Sequence, residues 1–449
     1  MMIGLGTFVP YAEMEINTGD KLILIAKSAR EKPKLRYISL MHLMNEKYLK
    51  DCYHLLKRGK AAGVDGRTLE SYTESEMNQA IKETIQQMKV KRYKPQPVKR
   101  VYIEKENGKK RSLGIPTVID KVVQLGMTRI LEAIYEPTFL PISFGYRPKR
   151  GAHEAIKEIN HMLMQKRVNW IVEADIKGFF DHINHKWMLR CLEERIKDPN
   201  FIQLIKKFLN SGVMEGFYVP TKEGTPQGGI ISPMLANIYL HYILDLWFEK
   251  REKKQMQGYT QLVRYADDFL IGVQHKEEAE KIRQDVGERL KVFGLELAEE
   301  KTKVLEFGRF ARENTKRQKP DTFDFLGFTH YCAETRDGRF MVGVRTSKKQ
   351  MNRALITMNS WLKGIRNLVS TETIWKKLSQ KLTGHYNYYG ISGNFIAINR
   401  YYHTTRRLTL KWMNRRSRKK SWNWEEFEKY LKTYPLPMPK LTYAIYNTW

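Results

Sequence analysis

Cysteine is scarce. The 449 residues hold three, Cys52, Cys191 and Cys332, far apart in the chain. No two have zinc-ligand or disulfide-framework spacing, so ordinary buried thiols in a reducing cytoplasm are expected. Long apolar runs are missing too. Nothing approaches the roughly eighteen residues that a spanning helix needs. The N-terminus, MMIGLGTFVPYAEMEI, has no basic n-region of a secretory signal. Internal repeats and low-complexity linkers are absent. Acidic residues are the remaining shortage: 49 Asp plus Glu stand against 79 Lys plus Arg, a net charge of +30. Such an excess favours a polyanionic partner, and with no membrane element that partner is expected to be nucleic acid.

Three regions follow from patterning. Residues 1–84 read as mostly helical, broken by a tight turn at AAGVDGRT (Ala61–Thr68). Residues 85–331 mix strands and helices. RVYIEKENGKKRSLGIP (Arg100–Pro116) reads as a hairpin turning at Asn107-Gly108. NWIVEADI (Asn169–Ile176) reads as an apolar strand, and GLELAEEKTKVLEFG and FDFLGFTHY add strands. From about residue 345 the pattern turns helical. Met351, Ala354, Leu355, Met358, Trp361, Leu362 and Ile365 share one helix face, with Lys and Arg opposite.

One stretch resists a bland reading. RYADDFL (Arg264–Leu270) sets two adjacent carboxylates, Asp267 and Asp268, between apolar runs, where a hairpin turn is expected. Asp is common in turns, so alone this means little. A second strand, however, also ends on a carboxylate, Asp175. Carboxylates that repel one another are stabilised by a divalent cation, and hard oxygen ligands suit Mg²⁺. Two such ions can clamp an in-line phosphoryl transfer.

These residues resemble the palm of reverse transcriptases. KRYKPQPVKRVYIEKENGKKRSLGIPTVIDKVVQ (Lys91–Gln124), SFGYRPKRGAHEAI (Ser143–Ile156) and GTPQGGIISPMLANIYL (Gly224–Leu240) look like successive blocks of group II intron reverse transcriptases. AAGVDGRT looks like the N-terminal block of that lineage, and FDFLGFTHY (Phe323–Tyr331) like the block closing the palm. QKLTGHYNYYGIS (Gln380–Ser392) and RRLTLKWMNRRSRKKSW (Arg406–Trp422) are similar to the maturase, or thumb, domain.

The resemblance implies an α+β right-hand polymerase. An N-terminal helical extension (1–84) would precede fingers and palm with an antiparallel palm sheet (85–331), then an all-helical thumb/maturase domain (332–449). The implied activity is RNA-directed DNA polymerisation by two-metal nucleotidyl transfer, with two Mg²⁺ ions that Mn²⁺ can replace. Asp175 and Asp267 would bridge the ions, Asp268 would complete the cluster, and the backbone carbonyl of Ile176 would add a ligand. Lys105 and Arg111 correspond to triphosphate contacts, Phe180 to the aromatic beneath the deoxyribose, and Gln227 to the border of the incoming nucleotide. The implied partners are an RNA template, a primer, deoxynucleoside triphosphates and a structured group II intron RNA.

Between Arg400 and Lys420 there are nine Lys or Arg and no acid, with Tyr401, Tyr402 and Trp412 interleaved and Trp422 just beyond. Phosphate contacts with some base stacking are expected there, with Arg406, Arg407, Arg415 and Arg416 as candidates. No cysteine follows Cys332, so the metal-binding endonuclease segment of many relatives is not expected. Two other readings stay open: a maturase that only folds intron RNA, against which the three Asp count, and a domesticated polymerase in phage defence or another host pathway.

Overall fold

The computed structural model describes residues 19–104, 110–221, 223–225, 228–314, 320–416 and 421–446. Its strands are β1 (Val98–Glu104), β2 (Lys110–Ile115), β3 (Trp170–Asp175), β4 (Val213–Glu215), β5 (Phe217–Val219), β6 (Thr260–Tyr265), β7 (Asp268–Val273), β8 (Lys303–Glu306), β9 (Phe323–Phe325), β10 (Phe328–Glu334) and β11 (Phe340–Thr346). They form three sheets, ordered β2-β1-β4-β5, β6-β7-β3-β8 and β11-β10-β9. Pairings are antiparallel except β1 with β4. The architecture is mixed helix and sheet, as the patterning predicted.

The β6-β7-β3-β8 sheet organises the molecule. Successive strand side chains point to opposite faces. Ile171, Val263 and Leu270 pack with Ile159, Met162 and Leu163 of the helix Ala152–Gln165. Val172, Leu262, Phe269 and Ile271 face the other way, into a larger cluster with the helices Val118–Tyr135, Ser232–Leu240 and Lys276–Val292. Both faces are covered, which explains why β3 and β7 read as nearly continuous apolar runs rather than alternating ones. The helix after Ser232 widens into π-helical turns at His241–Asp245 and Phe248–Glu252.

The C-terminal helices Lys348–Ile365, Thr371–Tyr389, Phe395–Met413 and Trp424–Thr433 enclose a separate apolar cluster. Ser347 and Ser370 cap the first two, their hydroxyls accepting from the Gln350 and Thr373 amides. Met351, Met358 and Leu362 are buried and Ala354, Leu355, Trp361 and Ile365 pack beside them, the face expected from spacing. The bundle is seated on the sheet region: Tyr388 donates to the Leu326 carbonyl at 2.8 Å, and His153 contacts the Tyr388 carbonyl at 2.7 Å.

Three expectations need correction. Residues 332–449 are not all helical, because β10 runs through 332 and β11 follows. Val342, Gly343 and Val344 are all buried in β11, Val342 in one cluster and Val344 in the other, so this strand stitches the bundle to the sheet. FDFLGFTHY is not one strand but the hairpin β9–β10, turning at Leu326 and Gly327 with φ of 49° and 81°. Residue 84, expected as a region boundary, lies inside the helix Glu74–Lys89.

His330, on β10, is fully buried and stacks on Phe323 at 4.6 Å, and neither ring nitrogen has a hydrogen-bond partner. Burial, opposed only in part by the Phe328 backbone, holds its pKa down to about 3. Unfolded histidine titrates near 6.5, so below that pH the unfolded chain takes a proton that the folded one refuses. Stability is therefore lost as pH falls, by about 1.4 kcal/mol per pH unit for this group. Denaturant melts at pH 7 and pH 5 should show a shallower loss for His330→Leu than for the wild type. An equal loss would mean that His330 is protonated in the folded state.

Candidate active site

Asp175 is the last residue of β3 and Asp268 the first of β7, and the two are direct cross-strand partners. Tyr265 pairs with Asp268, so Ala266 and Asp267 form the link between β6 and β7. Ala266 adopts φ of 57°, a region that L-residues with a side chain seldom occupy. Three carboxylates thus gather at one end of a sheet whose remaining residues are largely buried.

The electrostatics match this crowding. Asp268 keeps an exposed edge. Lost hydration, followed by the charges of Asp267 and Asp175, nonetheless pushes its carboxyl well above the usual carboxylate range. Asp175 keeps 15% of its side chain exposed and accepts from Lys301, the last residue of the short 3-10 turn Glu299–Lys301. That contact raises the Lys301 pKa in turn. The Asp175 carbonyl accepts the Ala298 amide at 2.8 Å, and Ile176 bridges to Leu297, so the strand end is clamped on its other side.

Among the described residues, no three His, Cys, Asp or Glu side chains converge as a ready-made metal cage. Mg²⁺ rarely uses one. It takes one or two carboxylates and completes its shell with water and substrate phosphates. Hard oxygen donors, an excess of negative charge and a carboxyl driven towards protonation fit such a cation.

A family model described as reverse transcriptase (RNA-dependent DNA polymerase) matches residues 103–330. The chain is 32% identical over 435 residues to the group II intron-encoded protein LtrA of Lactococcus lactis subsp. cremoris, covering 77% of this chain and 69% of that one. Identity to protein YkfC of Escherichia coli (strain K12) is 32% over 295 residues, 58% of this chain and 77% of that one. Nuclear intron maturase 4, mitochondrial, of Arabidopsis thaliana is 32% identical over 135 residues, 29% of this chain and 16% of that one. The chain belongs to the group II intron-encoded reverse transcriptases.

Reverse transcriptases generally use divalent cations, and Asp175, Asp267 and Asp268 share one end of the sheet here. Phe180 is 5% exposed, in the 3-10 turn Phe179–Asp181, and lies edge-on to Phe179 at 5.3 Å. Its carbonyl accepts the Thr225 amide at 2.7 Å, tying the turn to the GTPQGG loop. Lys105 and Gln227 lie outside the described residues. Arg111 sits on β2 opposite Ile103.

The C-terminal arginines of this reverse transcriptase divide in two. Arg406 pairs with Glu428 and lies against the rings of Tyr402 and Trp424, with 12% of its side chain exposed. Arg416 donates to Thr371 Oγ1 at 2.9 Å and the Val369 carbonyl at 2.8 Å. Both brace the bundle. Arg407 and Arg415 are exposed. Tyr401, Tyr402 and Trp412 are buried, so these aromatics are core residues and not a stacking surface. Aromatic interleaving was the misleading signal, because a helix alternates core and surface within one turn.

Sequence reasoning also missed Lys301, hidden in a segment read as a strand. The turn Glu299–Lys301 comes first and only Lys303–Glu306 is strand. The Lys301 ammonium contacts the Asp175 carboxylate. Lys301→Met should lower the stability of the metal-free protein only slightly, on the order of 0.5 kcal/mol, since the lysine is mostly exposed. Mg²⁺ should then raise the melting temperature of the variant more than that of the wild type, because no ammonium must be displaced. Thermal melts with chelator and with Mg²⁺ check this, and equal shifts would remove Lys301 from the site.

Proposed function

We propose that this protein is an RNA-directed DNA polymerase that also binds a structured group II intron RNA. The observation that carries the first half is the register of Asp175 against Asp268, with Asp267 in the adjoining turn. In this reading β1, β2, β4 and β5 belong to the fingers, the β6-β7-β3-β8 sheet is the palm, and the C-terminal bundle is the thumb and maturase domain. The parts join at β10–β11.

The three Asp would hold Mg²⁺, with the Ile176 carbonyl as a further ligand. When bound, the cations activate the primer 3′-hydroxyl and neutralise the leaving pyrophosphate. The protein's own share is positional. The sheet keeps the carboxylates together against their repulsion, and Phe180, on the neighbouring turn, would clash with a 2′-hydroxyl. Lys105 and Arg111 would grip the triphosphate with charge-assisted bonds, and Gln227 would border the base.

Asp267→Asn removes one ligand while leaving the basic surface untouched. Primer extension on an RNA template should be abolished, with RNA binding measured in parallel nearly unchanged. Substantial extension by the variant would sink the assignment.

The maturase half is supported by the names of the relatives and by one helix face. Arg400, Arg407 and Lys411 are exposed along Phe395–Met413 with His403 between them, and Arg415 follows just beyond. These positions lie three, four or seven residues apart, so they form one stripe. Neutralising Arg400, Arg407, Lys411 and Arg415 should flatten the salt dependence of RNA binding by about 0.7 per lost contact, roughly 3 in total. The single-nucleotide addition rate on saturating primer-template should hardly change. Binding titrations against a structured intron RNA at several salt concentrations decide this. Equal slopes would make the stripe a solvated face.

A further inference from the structure

The hairpin that carries Asp267 rests on a guanidinium sealed from water. Arg264, on β6, has no solvent exposure, and neither has the carboxylate of Asp245. A guanidinium has five N–H donors, and here every one is used. Nε donates to Asp245 Oδ1 at 2.7 Å. Nη2 donates to Asp245 Oδ2 at 2.6 Å and to Ser143 Oγ at 2.8 Å. Nη1 donates to Asn237 Oδ1 at 3.2 Å and to the carbonyl of Ala266 at 3.0 Å.

The last contact reaches the turn itself. The Ala266 carbonyl and the Asp267 amide share one planar peptide. Holding that carbonyl orients the whole peptide up to the Cα of Asp267, and the pairing of Asp268 with Tyr265 and Asp175 holds the residue from its other side. The opposite side is held too. Gly145 backs onto the turn so closely that a Cβ there would lie 2.4 Å from the Ala266 nitrogen. Asn237 ties the two sides together, donating from Nδ2 to the Gly145 carbonyl at 2.8 Å while its Oδ1 accepts from Arg264.

Stability alone does not account for this arrangement. Desolvating a charge pair costs several kcal/mol per ion, and apolar replacements of similar volume are often neutral or stabilising. The left-handed Ala266 adds a further cost. What the network supplies is a single orientation for a strained turn. Three distant segments contribute: Ser143 and Gly145 from SFGYRP, Asn237 and Asp245 from the helix after Ser232 and its first π-helical turn, and Arg264 from β6.

We propose that Arg264 is a positioning residue for nucleotidyl transfer: through the Ala266 carbonyl it aims the Asp267 carboxylate at the cation shared with Asp175. The inference rests on the polymerase reading above. Arg264→Lys keeps the charge but not the fork that reaches Asp245, Asn237 and Ala266 together. Arg147→Lys is the control. Arg147, itself buried, pairs nearby with the half-buried Glu136 and bonds the Leu140 and Ser143 carbonyls, and none of these bonds goes to the turn.

Three quantities are measured on folded protein at low temperature: primer-template affinity, the single-turnover rate against Mg²⁺ concentration, and the thermal shift on adding Mg²⁺. Arg264→Lys should leave affinity unchanged and slow addition by about 100-fold, the cost of a small misplacement. It should also need several-fold more Mg²⁺ for half the maximal rate and show a smaller thermal shift. Asp245→Asn, which loosens the same guanidinium without removing it, should move all readouts in the same direction by less. Should Arg264→Lys fail to fold, Asp245→Asn decides alone. Rates and Mg²⁺ responses like those of Arg147→Lys would overturn the proposal. The thermal shift does not require synthesis, so a wild type that binds Mg²⁺ without extending primers would count against the polymerase reading and not against this one.

Discussion

Three carboxylates held within one end of a sheet repel each other, and much of the architecture exists to resist that. No local preference would keep Asp175 and Asp268 opposite each other. The register does, because slipping β3 against β7 by one residue would turn Ile171 and Val172 to the wrong faces. Each face of the sheet is packed against a different apolar cluster, so a slip would cost burial on both sides at once. Hydrophobic packing thus sets the position of the charges, and the charges contribute nothing favourable until a counter-ion arrives. Lys301 supplies part of that counter-charge from the turn before β8.

The same constraint explains where polar groups have been buried. A hairpin that is apolar on both faces still has to end in a strained, acidic turn. Arg264 enters the core to reach it, and its partners come from helix, loop and turn, so that no single element can shift without breaking a bond to the guanidinium. Gln124 works similarly at the next loop, its Oε1 accepting the Ile230 amide at 2.8 Å beside the glycines of GTPQGG. Buried polar side chains cluster around the site because its backbone is irregular there, and irregular backbone needs partners that a ladder would otherwise provide.

The strands β3 and β7 were legible because their apolar runs are bounded by carboxylates, and a strand that meets a charge marks a boundary. The helix Lys348–Ile365 was legible because its period is clean. Arg264 was visible as a charge inside an apolar run, yet nothing in the chain names Asp245 or Ser143 as its partners, which lie 19 and 121 residues away. The β9–β10 hairpin was hidden because its turn uses Leu326 at positive φ before Gly327, so only half of the usual turn signal is present. Lys301 was hidden because a 3-10 turn and a short strand share its segment and neither has a period to detect.

Basic character misleads when it is read as a run. Between Arg400 and Arg416 the helix alternates its duties, so neighbours in sequence serve opposite ends of the energy balance. Arg406 is drawn inward by Glu428 and by two aromatic faces, where its charge offsets a buried acid and its stem fills space. Arg407, one step on, turns about 100° away and faces solvent. A phosphate backbone would have to displace Glu428 to reach the first, and only counter-ions to reach the second. The exposed stripe is therefore the part of this excess of charge that a nucleic acid can use at low cost, while the inward arginines keep that stripe on a rigid support.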